Sequence, residues 1–379
     1  MWYFRSPQII FGEDSLSFLP SLDIKRAAII TDRNLLRTDI PDLVRKALPQ
    51  DAESITLGDV TEEPPLSEMT SHLTRIREFS PDWFLALGGG SAMDTAKILF
   101  FMYERPDLSV YDITPLVKLN LRKKSRLLAI PTTSGTGSEC TWAAVLSVEG
   151  EHRKHELASP EILPDYAILD PSLVLALPTE QTKNTASDAI AHAVEAYGST
   201  WHNPFSDAFA EKALELVSGN IVAVIRDPRN LALRNQVHIG ASMAGLAFSN
   251  SQIGLVHALG HALGARFKVP HGKAVALFLP HVVEFNYDAC AERYDRLNTI
   301  LPVQYRETKL SNSLENLLGA MGQARNGKEA GIDEAEFSTS LEELVSLASE
   351  STGMVTNPKD AGSTDLRNLF IKAYGVTSP

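Results

Sequence analysis

Apolar and polar positions alternate differently in the two halves of the chain. Up to about residue 178, short β-branched runs interleave with stretches of helical spacing, the pattern of a parallel sheet covered by helices. Ala27-Ala28-Ile29-Ile30-Thr31 predicts a buried strand ending at Asp32, and Ile40 to Ala47 a helix. Ser54-Ile55-Thr56-Leu57 predicts a second strand, and Glu68 to Phe79 a second helix. Trp83-Phe84-Leu85-Ala86-Leu87 is the clearest strand, broken by Gly88-Gly89-Gly90-Ser91 before a helix from Ala92, and Leu127 to Ile130 is a further strand stopped by Pro131.

After Leu177-Pro178 long helical patterns take over, with Thr179 as the expected N-cap. They run over Gln181 to Ser199, Pro204 to Ile225, Leu231 to Phe248, Gly254 to Phe267 and Gly272 to Asn286. Residues 305 to 350 predict surface helices and loops rather than a third domain. The expected organisation is an α/β amino-terminal domain, 1-178, and an all-helical carboxy-terminal domain, 179-379. A length of 379 residues fits two cores better than one.

Composition narrows the chemistry. Thirty-five Lys and Arg against 47 Asp and Glu give a net charge of −12, which argues against nucleic acid or an anionic membrane as partner. The basic run Arg122-Lys123-Lys124-Ser125-Arg126 reads as a solvated loop. Cys140 and Cys290 form no CxxC, so a disulfide framework and a cysteine zinc site are both excluded. With no targeting segment at Met1 to Pro7 and no apolar run near the ~20 residues of a membrane span, a soluble cytoplasmic protein is expected.

Glycines between a buried strand and a helix let backbone N–H groups approach a phosphate, and the helix terminus adds partial positive charge there. Ser91-Ala92-Met93-Asp94 follows the glycines, so this is not the GxGxxG fingerprint. Asp94 and Lys97 stand three apart on the new helix, where an acid in the first turn also has a simple capping role. Pro131 to Glu139, rich in Thr, Ser and Gly, follows another strand and offers hydroxyls at the same sheet edge. Asp32 could accept hydrogen bonds from an adenosine ribose and so favour NAD over NADP. It could equally cap the turn Thr31-Asp32-Arg33-Asn34, with Arg33 serving a 2′-phosphate.

Histidines supply the second chemistry. Asp188 and His192 are four apart on one helix, as are His257 and His261 among small apolar residues, and His271 follows in Val269-Pro270-His271-Gly272. Imidazoles turned into such surroundings cost ~1 to 3 kcal/mol for each unsatisfied polar group, a cost a divalent ion would remove. Imidazoles with one carboxylate suit Fe²⁺ or Zn²⁺ and suit Mg²⁺ or Ca²⁺ poorly. His202, His238 and His281 are assigned to surface or packing, and His72, His152 and His155 to the surface.

Taken together, GGGSAMDTAK at 88 to 97, PTTSGTGSE at 131 to 139, DAIAHAVEAY at 188 to 197 and HALGHALGARFKVPHG at 257 to 272 resemble the iron-containing (group III) alcohol dehydrogenase family. The resemblance runs from about Phe4 to Tyr374. It implies a dinucleotide-binding α/β domain, an all-helical metal-binding domain, and a catalytic cleft between them. It further implies Asp188, His192, His257 and His271 as metal ligands and His261 as an unligated proton relay. Gly89, Gly90 and Ser91 would form the pyrophosphate loop, with Asp94 near the nicotinamide, Thr132, Thr133 and Thr141 touching the cofactor, Lys154 holding a ribose, and Asp32 disfavouring NADP. Ser187 departs from the Met or Leu usual before the ligand Asp, and Trp142 suggests a pocket of restricted size.

The implied activity is reversible hydride transfer between NAD(H) and a small primary alcohol or aldehyde, in a homodimer or larger homo-oligomer. Two related readings stand beside it. One is a metal-free reductase of the maleylacetate reductase type, opposed by the complete ligand set. The other is a lyase like dehydroquinate synthase, opposed by the lack of a basic cluster for an anionic substrate.

Overall fold

The computed structural model describes residues 3–60, 66–147 and 154–375. The chain divides into two compact units, one from Arg5 to Ala176 and one from Leu177 onward. Phe4 belongs with the second unit although it precedes the first, because its ring stacks on Phe209 at 5.4 Å and lies 5.6 Å from Phe205.

The first unit is built on a parallel six-stranded sheet: β1 (Gln8–Phe11), β2 (Arg26–Asp32), β3 (Glu53–Val60), β4 (Trp83–Gly88), β5 (Arg126–Pro131) and β8 (Tyr166–Leu169), in the spatial order β1-β8-β5-β4-β2-β3. β6 (Ala143–Ser147) and β7 (Lys154–Ala158) form a separate antiparallel pair. Alternation along β2 explains the two-sided burial. Ala28 and Ile30 join a core with Phe84, Ala86, Leu127 and Ala129, while Ala27 and Ile29 join one with Leu85, Leu128 and Ile130 on the other face. Helices α1 (Ile40–Lys46), α2 (Leu66–Phe79) and α3 (Gly90–Glu104) connect the strands.

The chain runs from β2 outward to β3, then returns to place β4 on the other side of β2. That reversal is where an open α/β sheet opens a ligand crevice at its carboxyl edge, and Asp32 and Gly88 end the two strands there.

One expectation changes in this unit. His72 is 2% exposed rather than at the surface, because it shares the inward face of α2 with Met69 and Ile76, three residues before and four after it. The basic run is the solvated loop expected, with Lys123, Lys124 and Arg126 exposed, and its backbone is pinned. The buried Glu104 carboxylate accepts the backbone N–H groups of Lys123, Lys124 and Ser125 at 2.7–2.8 Å, and Arg122 pairs with Asp165 at 2.7 Å.

The second unit is helical: α4 (Thr179–Gly198), α5 (Pro204–Arg226), α6 (Leu231–Ser249), α7 (Leu255–Phe267), α8 (His271–Ile300), α9 (Leu310–Met321), α10 (Glu334–Ser349), α11 (Gly353–Thr356) and α12 (Ser363–Tyr374). Thr179 is the first helical residue of α4 rather than its N-cap, which falls on Pro178. α8 runs well past Asn286 and changes direction at Cys290, whose φ of −144° and ψ of 38° interrupt the helix. Leu314, Leu317, Phe337 and Leu344 from α9 and α10 enter the same core as α4 to α8, so the carboxy-terminal residues complete one domain. Among the described residues no helix is long and apolar enough to cross a membrane.

Candidate functional site

The glycine turn at the end of β4 is a close-packed junction. Gly88 has φ of +151°, and a Cβ there would sit 2.7 Å from that of Ala92 and 3.4 Å from Asp32 Oδ2. A Cβ on Gly90 would lie 2.9 Å from Thr136 Cγ2, and one on Gly89 would lie 3.2 Å from Thr133 Cγ2. The two polar segments of the sequence therefore meet, and Thr132 N–H donates to Gly88 O at 2.9 Å. α3 starts at Gly90, two residues earlier than expected, so Gly90 and Ser91 supply the first-turn N–H groups at the mouth of the crevice.

Asp32 Oδ1 accepts Asn34 N–H at 2.8 Å and Leu35 N–H at 3.1 Å. The carboxylate thus caps its turn while Oδ2 stands beside Gly88, so both readings of this residue are compatible with one geometry. Asp94 lies beyond the first turn of α3 and does not cap it. It instead accepts Ser138 Oγ–H at 2.8 Å and Val145 N–H at 2.9 Å.

Lys97, which sequence reasoning left without a task, is 1% exposed. Its three ammonium protons meet three acceptors: Ser138 Oγ at 2.8 Å, Thr141 Oγ1 at 2.9 Å and Ala143 O at 2.7 Å. Burial lowers its pKa to about 8, against the opposing pull of Asp94, Glu139 and Cys140. Thr141 is itself buried, and its hydroxyl is committed to this network. Lys154 opens β7, and its side chain lies outside the described residues.

In the helical unit, α4 brings Asp188 and His192 to one face, α7 contributes His257 and His261, and His271 begins α8. Asp188 Oδ1 faces three imidazole Nε2 atoms: His192 at 3.8 Å, His257 at 3.3 Å and His271 at 3.2 Å. Asp188, His192 and His257 are buried and offer ligand atoms within 4.8 Å of one another. His271 approaches from the more open side, its side chain 32% exposed. The His261 ring is 5.9 Å from that of His257 and 5.0 Å from that of His271, at the partly exposed margin of the cluster.

The spacing of α4 and α8 at this level is set by Gly272, where a Cβ would overlap the backbone carbonyl of Asn184. His192 lies flat between Phe248, ring centroids 4.1 Å apart, and His257 at 4.4 Å.

Burial would raise the Asp188 carboxyl, but the charges of His192 and His271 and hydrogen bonds from His257 and His271 hold it well below the carboxylate range. Burial pushes His192 down to about 3, leaving it a neutral imidazole at pH 7. The ring nitrogen His192 Nδ1 is buried without a hydrogen-bond partner among the described residues, a cost that packing alone does not relieve.

His257 is resisted by burial but pushed up to about 10 by carboxylates at both nitrogens, Glu195 at Nδ1 and Asp188 at Nε2. With an acceptor on each side, the Asp188 carboxylate at Nε2 is met either by the ring's own proton or by a metal ion in its place. One carboxylate and three convergent imidazoles fit a borderline divalent ion such as Fe²⁺ or Zn²⁺ and fit an oxygen-seeking ion poorly. Glu195 was missed by sequence reasoning, although Asp188, His192 and Glu195 at i, i+4 and i+7 share one face of α4, a signal available from spacing alone.

Residues 6–171 match the family model for iron-containing alcohol dehydrogenase, and residues 182–374 that for the C-terminal part of the Fe-containing alcohol dehydrogenase family. The chain is 32% identical to the NADPH-dependent butanol dehydrogenase of Clostridium saccharobutylicum over 99% of its own length and 98% of that protein. It is 33% identical to the 1-propanol dehydrogenase PduQ of Citrobacter freundii, covering 95% and 96% of the two chains. Among solved structures, the iron-containing alcohol dehydrogenase of Thermococcus thioreducens superposes with a TM-score of 0.90 at 32% identity, covering 99% of each chain.

Proposed function

Because the chain belongs to the iron-containing alcohol dehydrogenase family, we propose that it interconverts a small primary alcohol and its aldehyde with NAD(H). In this reading Asp188, His192, His257 and His271 hold one Fe²⁺ or Zn²⁺. The observation that carries it is the buried Asp188 carboxylate with three imidazole Nε2 atoms 3.2–3.8 Å from one of its oxygens.

When bound, the metal ion supplies Lewis acidity that favours the deprotonated alcohol, and the nicotinamide supplies the hydride acceptor or donor. The protein's own groups do the rest. Burial keeps His192 neutral, so its lone pair stays available. Asp188 stays ionised and offsets the positive charge gathered at the centre. His261, one turn beyond His257 and partly exposed, is placed to pass the hydroxyl proton toward solvent. Gly89, Gly90 and Ser91 offer backbone N–H groups to the pyrophosphate, Thr132 and Thr133 line the neighbouring turn, and Asp32 favours NAD by repelling a 2′-phosphate.

Aliphatic alcohols are the substrate class named for the butanol and 1-propanol dehydrogenase relatives, and the same class is proposed here. A homodimer or larger homo-oligomer is the proposed assembly. Both cysteines are free and buried, which suits the reducing cytoplasm.

The decisive experiment is a panel of short aldehydes assayed with NADH and NADPH on wild type and His271→Ala, with metal content measured in parallel. Wild type should oxidise NADH with a short aldehyde, and the variant should lose metal and turnover while still binding NADH. Full turnover by a metal-depleted His271→Ala protein refutes the ligand set, and a strong NADPH preference refutes the role given to Asp32.

A further inference from the structure

α7 carries His257 and His261, yet its own N-cap, Gly254, provides no side-chain acceptor for the N–H groups of the buried first turn. The acceptor comes from another helix. Glu195 Oε1, on α4, accepts Val256 N–H at 2.6 Å and His257 N–H at 3.4 Å. The other oxygen, Oε2, is hydrogen-bonded to His257 Nδ1. Gly254 leaves room for this, since a Cβ there would sit 3.0 Å from Glu195 Oε1. Asn357 supports the same turn by accepting Leu255 N–H at 3.4 Å, and is held by reciprocal 2.8 Å amide bonds with Asn286.

We propose that Glu195 is a positioning residue whose single carboxylate sets both the start of α7 and the ring orientation of His257. An ionised carboxylate only accepts hydrogen bonds, so His257 Nδ1 must be the donor. That leaves Nε2 as the nitrogen directed at Asp188 Oδ1, 3.3 Å away. A carboxylate behind a ligating imidazole also raises its basicity. This inference rests on the metal reading of the Asp188 cluster and assigns a task to a residue outside the ligand set.

Glutamine separates the two tasks. With its oxygen toward the helix N–H groups, its NH₂ faces His257 Nδ1 and drives the ring proton to Nε2, the nitrogen that should face the metal. Rotated the other way, its NH₂ confronts the N–H groups of Val256 and His257. Either orientation loses one of the two functions that Glu195 performs together.

The test is Co²⁺ and Zn²⁺ affinity, by competition with a chromophoric chelator, for wild type, Glu195→Gln and Gly254→Ala, with NADH affinity and the melting temperature of metal-stripped protein measured alongside. Glu195→Gln should bind metal ~10- to 100-fold more weakly, with NADH affinity unchanged. Gly254→Ala, which crowds Oε1 with a methyl group, should move affinity the same way by a smaller factor, and it answers alone if Glu195→Gln does not fold. Wild-type metal affinity in both variants overturns the assignment and leaves the proposed function standing. So does a loss of metal and NADH affinity together with a lowered melting temperature, the signature of general misfolding. If wild type itself binds neither ion, the metal reading fails and this inference fails with it.

Discussion

Each unit buries a charge, and the two charges are treated in opposite ways. In the sheet unit, Lys97 is enclosed and its three donors meet three acceptors at 2.7–2.9 Å, so the local network is closed. In the helical unit, Asp188 gathers three imidazoles at 3.2–3.8 Å while His192 Nδ1 stays without a partner among the described residues. A satisfied buried charge fixes a shape; three imidazole Nε2 atoms converging on one buried carboxylate make a place that can take another charge. The same physics that makes Lys97 structural makes the Asp188 cluster receptive.

The sharpest way to break this contrast is Asp188→Asn. Removing the carboxylate on which the three Nε2 atoms converge should lower turnover by about 10³-fold, the several kcal/mol that a Lewis acid contributes, and steady-state kinetics with metal analysis would detect it. Substantial activity in Asp188→Asn would mean that the cluster is not a metal centre.

Lys97 gives the next largest effect, through pH. Unfolded, it holds its proton up to 10.5; folded, only up to about 8. Between those values the unfolded chain binds more protons, so this group makes stability rise with pH, by up to about 3 kcal/mol. In Lys97→Met that rise should be absent, so wild type should gain on the variant in denaturant titrations between pH 7 and pH 10. A stability difference that stays constant across that range would refute the lowered pKa of Lys97.

Adding metal should then separate the units. At 100 times its dissociation constant, Zn²⁺ stabilises the state that binds it by about 2.7 kcal/mol. Hydrogen exchange should show the added protection in α4, α7 and the start of α8 and none in β2, β4 and β5. Equal protection in the sheet would blur the contrast between the two units. The smallest expected change is in cofactor choice: Asp32→Ser should shift the NADH to NADPH affinity ratio by ~10-fold toward NADPH, about 1.4 kcal/mol, read by fluorescence titration. An unchanged ratio would leave Asp32 only as the cap of Asn34 and Leu35.

The fold class was legible because each half keeps its own period: alternation in β2 and β4 buries both faces of a sheet, and α4 to α8 repeat at helical spacing. β1, β8 and the β6–β7 pair were not read, since four- and five-residue strands carry too little pattern to stand out. The approach of Asp188, His192, His257 and His271 was anticipated by i, i+4 spacing and by the family resemblance. The partners of Glu195 and Lys97 were not, because they depend on which helix or loop lies opposite. His72 shows the same limit: a polar residue on an apolar helix face looks exposed until the neighbouring helix is known.

Gly272 sets how the centre can respond to different occupants. With the backbones of α4 and α8 in direct contact there, the two helices cannot draw closer, and any side chain added at this position would wedge them apart. If the proposed centre takes ions of different radius, the imidazoles would adjust by rotation about their own torsions, with the helices at fixed separation. Efforts to retune the protein for another transition metal would do best to vary the residues around those rings and to leave this glycine alone.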